Sequence, residues 1–397
     1  MTRNHFARRG LTQVSQNNQS RYNLKALDMR TTLSIFMAVL GLASSADLSA
    51  KKVKEIIETP ASDSRIEYTG RTLINGNEVT YDWSGVYFRV KFNGPYLAMK
   101  CSDTKNCWFN LWVDKEMAPV ADKKFMVGQA SDTLIVLAEG LGKGQHEVIL
   151  QKRTEGEQGR FTVHSFLSEG EIFQANGRKE RHIEFIGDSY TCGYGTESDN
   201  RNDPFLAETE NCNLTYAAIT ARYFGADFNL VSHSGQGIAR NYDSAGAGYH
   251  MPHRYKQVFN AAKEPLWEPS MGAYTPDIVV IYLGTNDFST GQQPLEINFR
   301  NNYIALLQKI KANYGENTPI LCMGSNADPY LYDYIRNAVV VSGLKKVAYM
   351  TISNHAHNYE GDMGASWHPN YKGHLKVASC MIPYISSLTG WEMEEKP

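Results

Sequence analysis

Two apolar runs in the second half of the chain each lead through a glycine into a polar turn. Residues 183–186 precede Gly-Asp-Ser, which ends at Ser189, and residues 278–283 precede Gly-Thr-Asn-Asp, which contains Asn286. Short apolar runs of this kind are typical of buried strands. Because open α/β sheets bind their ligands at the carboxyl ends of the strands, we expect Ser189 and Asn286 to lie at such an edge.

From residue 181 onward, predicted strands alternate with predicted helices. The further strands are at residues 228–231, 320–323 and 347–352, and the helices are at residues 214–224, 299–310 and 375–385. Pro383 should kink or split the last helix. This alternation predicts a parallel sheet with helices on both faces over residues 181–397.

Residues 51–170 carry a β pattern instead. Apolar residues occupy every second position over residues 86–92, and Asn-Gly pairs at 75–76 and 93–94 mark turns. Several short strands without a convincing helix predict an all-β sandwich domain. Its aromatic residues could form a sugar-stacking face or pack in the core and across strands. These residues are Trp108, Phe109 and Trp112.

The first 50 residues predict an N-terminal extension and a signal peptide. An apolar run at residues 33–43 follows Met29 and Arg30 and precedes small residues at 44–46. This order is typical of secretory signals, and the run is shorter than the roughly 20 residues that span a bilayer. We therefore expect a secreted or periplasmic protein without a membrane span. Translation from Met29, a disordered extension and a buried N-terminal helix are the alternatives.

The charge pattern excludes one class of partner. The net charge is -2, without a long run of one sign, which argues against nucleic-acid binding.

The six cysteines match no zinc spacing, but export would allow disulfides, and Cys101 and Cys107 are close enough in sequence to bridge a hairpin. Two histidine pairs lack a carboxylate or cysteine at a familiar spacing, so no metal is expected. They are His355 with His357, and His250 with His253.

Acyl transfer to water needs a nucleophile, a base and hydrogen-bond donors for the oxyanion. Ser189 is the candidate nucleophile. Its own backbone N–H, that of Gly235 after the second strand, and the side-chain amide of Asn286 are the candidate oxyanion donors. Gly237 is the alternative to Gly235. We expect Asp188 and Asp287 to hold the turns by hydrogen bonds to the backbone.

The Gly-Asp-Ser, Gly-Thr-Asn-Asp and late His-Pro motifs occur in an order that resembles the SGNH (GDSL-like) hydrolase superfamily. The longer form Gly-Asp-Ser-Tyr-Thr-Cys-Gly-Tyr-Gly, at residues 187–195, is similar to carbohydrate esterase family 2. The resemblance implies an SGNH catalytic domain over residues 181–397 and a preceding jelly roll. It also implies that His368, in the loop before the last helix, is the catalytic base for Ser189.

The chain departs from the wider superfamily at one position. The usual acid lies three residues before the histidine, where this chain has Ala365. The nearest carboxylates, Glu360 and Asp362, have awkward spacing. A histidine still needs a partner on Nδ1 to fix its tautomer, and a backbone carbonyl could serve, as in dyad members of carbohydrate esterase family 2. An unperturbed histidine would then titrate at about 6.5.

The resemblance predicts a serine esterase that removes O-acetyl groups from xylan- or mannan-type polysaccharides or oligosaccharides through an acetyl-enzyme, without a cofactor. Four aromatic residues near the motifs could wall the acyl pocket and stack on sugar, or could simply pack. They are Tyr190, Tyr242, Phe288 and Trp367. One alternative is an esterase for lipid or other small acyl esters, although no long apolar lid is visible. The other is a catalytically silent carbohydrate-binding protein.

Overall fold

The structure is a computed structural model that describes residues 55–245, 248–272, 274–326, 328–353 and 358–394. The predicted signal peptide and the pair His355 and His357 lie outside these residues. Within them, no helix combines the length and apolar character needed to cross a membrane.

Twelve antiparallel strands form a sandwich of two sheets. They are β1 (Ile57–Pro60), β2 (Glu67–Thr69), β3 (Leu73–Asn75), β4 (Glu78–Tyr81), β5 (Tyr87–Asn93), β6 (Leu97–Asp103), β7 (Cys107–Val113), β8 (Lys123–Val127), β9 (Ala130–Ala138), β10 (Gln145–Lys152), β11 (Phe161–Ser168) and β12 (Ile172–Phe173). One sheet has the order β3-β4-β11-β6-β9, with β1 on β11. The other has the order β12-β5-β10-β7-β8, with β2 on β5. The predicted all-β sandwich is confirmed.

The alternation seen in β5 has a structural cause. Phe88, Val90 and Phe92 are fully buried between the two sheets, as period-two burial predicts. The opposite face is also covered, because Tyr87 packs against the rest of the chain and its hydroxyl donates to Asp227 Oδ1 at 2.6 Å. Phe109 and Trp112 are likewise fully buried, so packing, rather than sugar stacking, explains them.

A five-stranded parallel sheet with the order β14-β13-β17-β18-β19 follows the sandwich. Its strands are β13 (His182–Gly187), β14 (Asp227–Ser232), β17 (Ile278–Tyr282), β18 (Ile320–Ser325) and β19 (Val347–Ile352). Two short hairpins lie outside it: β15 (Gln257–Phe259) with β16 (Ala262–Leu266), and β20 (Met363–Gly364) with β21 (His368–Pro369). The predicted parallel sheet is confirmed.

Helices cover both faces of the parallel sheet. They are α1 (Ser189–Cys192), α2 (Tyr216–Tyr223), α3 (Met251–Arg254), α4 (Glu296–Tyr314), α5 (Leu331–Ser342) and α6 (Tyr371–Thr389). Val279 and Ile281 pack with α4 and α5, whereas Ile278 and Val280 pack with α2 and α6. Helix α6 runs through Pro383 without the predicted split. Pro383 lies on its exposed face, where water can satisfy the carbonyl that the proline leaves unpaired.

The sandwich and the parallel sheet belong to one compact unit, residues 53–397. The bond from Tyr87 to Asp227 joins β5 to β14, and the Trp83 indole donates to the Val258 carbonyl of the β15–β16 hairpin at 2.7 Å. The six cysteines are free. Cys101 and Cys107 do not flank a hairpin, because β6 and β7 belong to different sheets. This corrects the expectation from their sequence spacing.

Candidate active site

Ser189 begins helix α1 directly after strand β13, at the carboxyl edge of the sheet. Asp188 caps this helix by accepting the Tyr190 N–H at 3.1 Å. The turn requires glycine on either side. A Cβ at Gly187 would lie 1.9 Å from Thr191 Oγ1, and Gly193 has φ +86°. The strand, turn and short helix thus fix the backbone of Ser189 at the expected edge.

His368 lies beside Ser189 in the described structure. Its Nε2 is 2.8 Å from Ser189 Oγ, and its Nδ1 is 2.9 Å from the backbone carbonyl oxygen of Ser366. A neutral histidine with its proton on Nδ1 would donate to this carbonyl and accept from the serine hydroxyl. The carbonyl therefore fixes the tautomer that leaves Nε2 free to act as a base.

A strained turn aims the Ser366 carbonyl at the imidazole ring. Ser366 and Trp367 have φ values of 51° and 62°, in the left-handed region. Such conformations cost on the order of 1 kcal/mol each and persist where their surroundings impose them. Here the surroundings are two carbonyls of the loop after α1, because Asp203 accepts the Ser366 N–H at 2.9 Å and Arg201 accepts that of Trp367 at 3.1 Å.

No carboxylate occupies the position three residues before His368. Ala365 is fully buried there, and a Cβ added at Gly195 would lie 2.6 Å from the Ala365 Cβ. A larger side chain would meet this close packing. The nearby Asp362 carboxylate instead accepts from Lys376 Nζ at 2.6 Å.

Burial lowers the pKa of His368 to about 4, against an opposing effect of its hydrogen bonds to backbone and of the negative charge of Glu155. Tyr194 covers the imidazole at a ring-centroid distance of 4.4 Å, and Phe205 stacks on Tyr194 at 3.9 Å. Tyr190 contacts the ring edge-on at 5.5 Å. His368 is therefore neutral near pH 7, and the unperturbed value of about 6.5 expected from the sequence is wrong.

The candidate oxyanion donors near Ser189 differ in the hydrogen bonds that they already make. Within the described part of the chain, the backbone N–H groups of Ser189 and Gly235 donate to no other residue. Gly235 has φ +75°, a conformation that favours glycine. Gly237, the alternative, already donates its N–H to Asn241 Oδ1 at 3.1 Å. The structure thus favours Gly235 over Gly237 as a donor.

The Asn286 amide is already engaged. Its Nδ2 donates to the Gln236 carbonyl at 2.9 Å and to Asp188 Oδ2 at 3.1 Å. Both hydrogen atoms of the amide therefore have acceptors. Donation to an oxyanion would have to be shared with one of these bonds.

Asp287 ties the turn after β17 to the loop after β14. Its carboxylate accepts the backbone N–H groups of Ile238, Ala239 and Arg240 at 2.7 to 2.8 Å. Burial raises the pKa of Asp287 to about 7, and it does the same for Asp188. The predicted hydrogen bonds between these two aspartates and the backbone are confirmed, with the carboxylates as acceptors.

The four aromatic candidates have different environments. Phe288 is buried against Tyr334 and Phe299, at centroid distances of 5.4 and 6.3 Å, which agrees with the packing alternative, and its contact with substrate stays a prediction. Tyr190 packs behind the imidazole against Tyr282. Trp367 and Tyr242 are each 56% exposed. The sequence motifs do not identify the stacked Tyr194 and Phe205 as neighbours of His368, although Tyr194 lies within the Gly-Tyr-Gly of the nucleophile motif.

Three buried groups of the metal-ligand type, Glu155, Glu210 and the Cys192 thiol, lie within 4.8 Å of one another. Glu155 accepts the Ser234 N–H at 2.8 Å. Burial raises the pKa of Glu210 and of Cys192 well above their ordinary values. Because metal ligands must be deprotonated, this cluster is better suited to hydrogen bonding.

Comparison with known proteins identifies two regions of the chain. Residues 68–175 match the model described as carbohydrate esterase 2 N-terminal, and residues 185–376 match the GDSL-like lipase/acylhydrolase family. The cellulase/esterase CelE of Acetivibrio thermocellus is 31% identical over 345 residues, which are 84% of this chain and 41% of that protein. This chain thus spans less than half of CelE. An acetylxylan esterase/glucomannan deacetylase of Cellvibrio japonicus is 28% identical, over 78% of this chain and 86% of that one.

The fold of this chain matches one solved structure over the whole length of that structure. It is a family two carbohydrate esterase from Clostridium thermocellum in complex with cellohexaose, with 30% identity and a TM-score of 0.74. The match covers 82% of this chain and 100% of that one. A Cellvibrio japonicus esterase of family two has the same fold, with 24% identity, a TM-score of 0.75 and coverage of 85% and 99%. Because this chain is 30% identical to the Clostridium thermocellum esterase and covers all of it, the chain belongs to carbohydrate esterase family 2.

Proposed function

We propose that the chain is a serine esterase that removes O-acetyl groups from xylan- or mannan-type polysaccharides or their oligosaccharides. The observation that carries this proposal is the contact of 2.8 Å between His368 Nε2 and Ser189 Oγ, beside backbone N–H groups without acceptors among the described residues. The names of the Cellvibrio relatives support the choice of acetylated xylan and glucomannan.

The proposed reaction has two steps. His368 Nε2 takes the proton of Ser189 as Oγ attacks the acetyl carbonyl carbon. The N–H groups of Ser189 and Gly235, with a shared bond from Asn286, stabilise the resulting oxyanion. His368 then protonates the departing sugar oxygen, which leaves an acetyl-enzyme. His368 Nε2 then takes a proton from water as the water oxygen attacks the acetyl carbon, and it returns this proton to Ser189 Oγ as the acyl bond to serine breaks and acetate is released.

The environment of the imidazole suits this sequence of proton transfers. The Ser366 carbonyl accepts a hydrogen bond from Nδ1–H and supports the positive charge that forms when the ring gains its second proton, on Nε2. Burial opposes that charge and lowers the histidine pKa. The proton is therefore held weakly and passes readily to the sugar oxygen.

The pH dependence follows from the sign of this shift. Only neutral His368 can accept the serine proton, and its pKa is lowered to about 4. We expect kcat/KM for a neutral acetyl ester to rise with pH along one limb centred near 4 and to be flat between about pH 5.5 and 7.5. Stopped assays that quantify acetate from pH 3.5 to 8 would measure the limb. A midpoint near 6.5 would contradict a desolvated imidazole.

Trp367 is the proposed sugar-stacking residue. It directly precedes His368 and is 56% exposed, and the Arg201 guanidinium lies 4.7 Å from its ring centroid. A cation on one face of an indole leaves the other face for the apolar face of a sugar ring. Tyr242, equally exposed, is the second proposed contact because its Cβ lies 3.6 Å from the position of a Cβ added at Gly235.

We expect Trp367→Ala to raise KM for acetylated polysaccharide about tenfold, because it removes a stacking contact worth on the order of 1 kcal/mol per sugar. The kcat/KM for p-nitrophenyl acetate should change less than about threefold, since this ester is too small to reach a separate sugar subsite. Tyr359→Ala is a matched control, an aromatic ring that is 65% exposed with Lys376 Nζ at 5.3 Å. Equal losses on both substrates would contradict a sugar-binding role.

Acetate release from acetylated xylan, glucomannan and pectin tests the proposed function. Deacetylation of xylan or glucomannan is expected. Faster hydrolysis of octanoyl than of acetyl esters would favour the lipid esterase, and binding to these polysaccharides without acetate release would favour the silent binding protein.

We also propose, from residues 33–43, that the protein is exported.

A further inference from the structure

A turn of the sandwich reaches the candidate active site. Between β10 and β11, Glu155 is 2% exposed, although it belongs to a connection that sequence analysis would assign to the surface. Gly156 allows this close approach, because a Cβ there would lie 2.6 Å from the Asn260 Cβ. Asn260 in turn donates Nδ2 to the Ser232 carbonyl at 2.7 Å, at the end of β14.

The Glu155 carboxylate contacts both segments that supply backbone oxyanion donors. Its Oε2 accepts the N–H of Ser234, the residue before Gly235, at 2.8 Å. The same oxygen is 3.6 Å from the thiol of Cys192, which ends the helix that begins at Ser189. It also lies 3.6 Å from His233 Nδ1, on the same loop as Ser234.

We propose that Glu155 is a positioning residue for the oxyanion hole, a carboxylate that the sandwich supplies to hold the His233–Ser234 peptide beside helix α1. The inference rests on the proposed esterase function. A carboxylate acceptor makes a stronger hydrogen bond to N–H than a neutral oxygen does. The next peptide carries the Gly235 N–H, and holding the one before it fixes this N–H before substrate arrives. Such preorganisation is the condition for strong stabilisation of an oxyanion.

The neighbouring groups hold the backbone of Glu155 in place. Glu210 Oε1 accepts the Glu155 backbone N–H at 3.2 Å, and burial raises the Glu210 pKa well above its ordinary value. Lys152, fully buried, donates Nζ to the Glu155 carbonyl at 3.0 Å. Both backbone groups of Glu155 are therefore hydrogen-bonded, which fixes the point from which its side chain extends.

Two substitutions at Glu155 distinguish the effect of its acceptor oxygen from the effect of its negative charge. Glu155→Gln keeps an acceptor oxygen for the Ser234 N–H but removes the charge, whereas Glu155→Leu fills similar space without an acceptor. Glu157→Gln is the matched control, because Glu157 lies on the same turn, is 55% exposed on its side chain and is 3.6 Å from His233 Nε2. The measurements are kcat and KM for p-nitrophenyl acetate, together with the thermal midpoint Tm.

We expect Glu155→Leu to lower kcat about a hundredfold and Glu155→Gln about fivefold, with KM within about threefold of wild type for both. Glu157→Gln should leave kcat within about twofold. The partial rescue by glutamine and the loss in kcat rather than KM distinguish positioning from a general loss of folded protein. If the leucine variant does not fold, the glutamine variant decides the question.

Three results would overturn the inference. They are a kcat for Glu155→Gln equal to that of wild type, a Glu155→Leu variant that retains more than about a third of wild-type kcat, and losses that match those of Glu157→Gln. Each requires an active wild-type enzyme. A wild-type protein without esterase activity would instead overturn the proposed function itself, and the two failures are therefore distinguishable.

Discussion

Ser189→Ala is expected to lower kcat for acetyl ester hydrolysis by more than about 10⁴-fold, because no other group takes over the attack on the carbonyl carbon. The hydroxyl lies 2.8 Å from His368 Nε2, and its loss leaves the fold intact since the backbone of helix α1 is held by Asp188 and the flanking glycines. Acetate release would measure kcat, and circular dichroism would show whether the variant is folded.

The control is Ser379→Ala, which removes a hydroxyl that, among the residues the structure describes, bonds within helix α6, to the Leu375 carbonyl at 2.8 Å. It should retain kcat within about twofold, as expected for a surface substitution. An alanine variant at Ser189 that kept more than a few per cent of the wild-type rate would mean that another residue is the nucleophile.

His368→Ala is expected to lower kcat by about 10³- to 10⁴-fold, because one nitrogen both activates the nucleophile and protonates the leaving oxygen. Asp362→Asn should change kcat less than about threefold. The Asp362 carboxylate accepts from Lys376 Nζ, and the Nδ1 partner of His368 is the Ser366 carbonyl.

The comparison of the two variants decides between a dyad and a triad. The same ester, at pH 7, serves both assays, with Tm as the check that Asp362→Asn folds without its ion pair. A loss for Asp362→Asn that approached that of His368→Ala would reveal a carboxylate in the catalytic machinery and contradict the dyad.

The parallel sheet, the sandwich and the turns that carry Ser189, Gly235 and Asn286 could be predicted because each depends on local signals, whereas His368 follows from the resemblance to a known family. Apolar runs define buried strands, and glycine and asparagine at strand ends define the turns. Contacts between distant segments leave no such signal. Phe288 follows a motif directly but turns into the core against α4 and α5.

Glu155 could not be predicted for the same reason. It lies 79 residues before Ser234 in the chain, and the polar stretch around it is typical of an exposed turn. The pKa of His368 also escaped prediction, since it depends on how deeply Tyr194 and its neighbours bury the ring. Local patterns define elements, whereas burial and electrostatics belong to the assembled molecule.

The Ser366 carbonyl that orients His368 makes this part of the site unusually resistant to genetic change. In a Ser-His-Asp enzyme, a single codon change deletes the acid. Here every amino acid at position 366 supplies the same carbonyl oxygen, so loss of the orienting group requires a residue that cannot adopt φ near +50°. Proline is the clearest case, because its ring fixes φ at about −65°. Substitutions at position 366 should therefore be limited by the backbone conformation that the residue must adopt. An alanine scan would not reveal the role of this residue, because alanine supplies the same carbonyl oxygen.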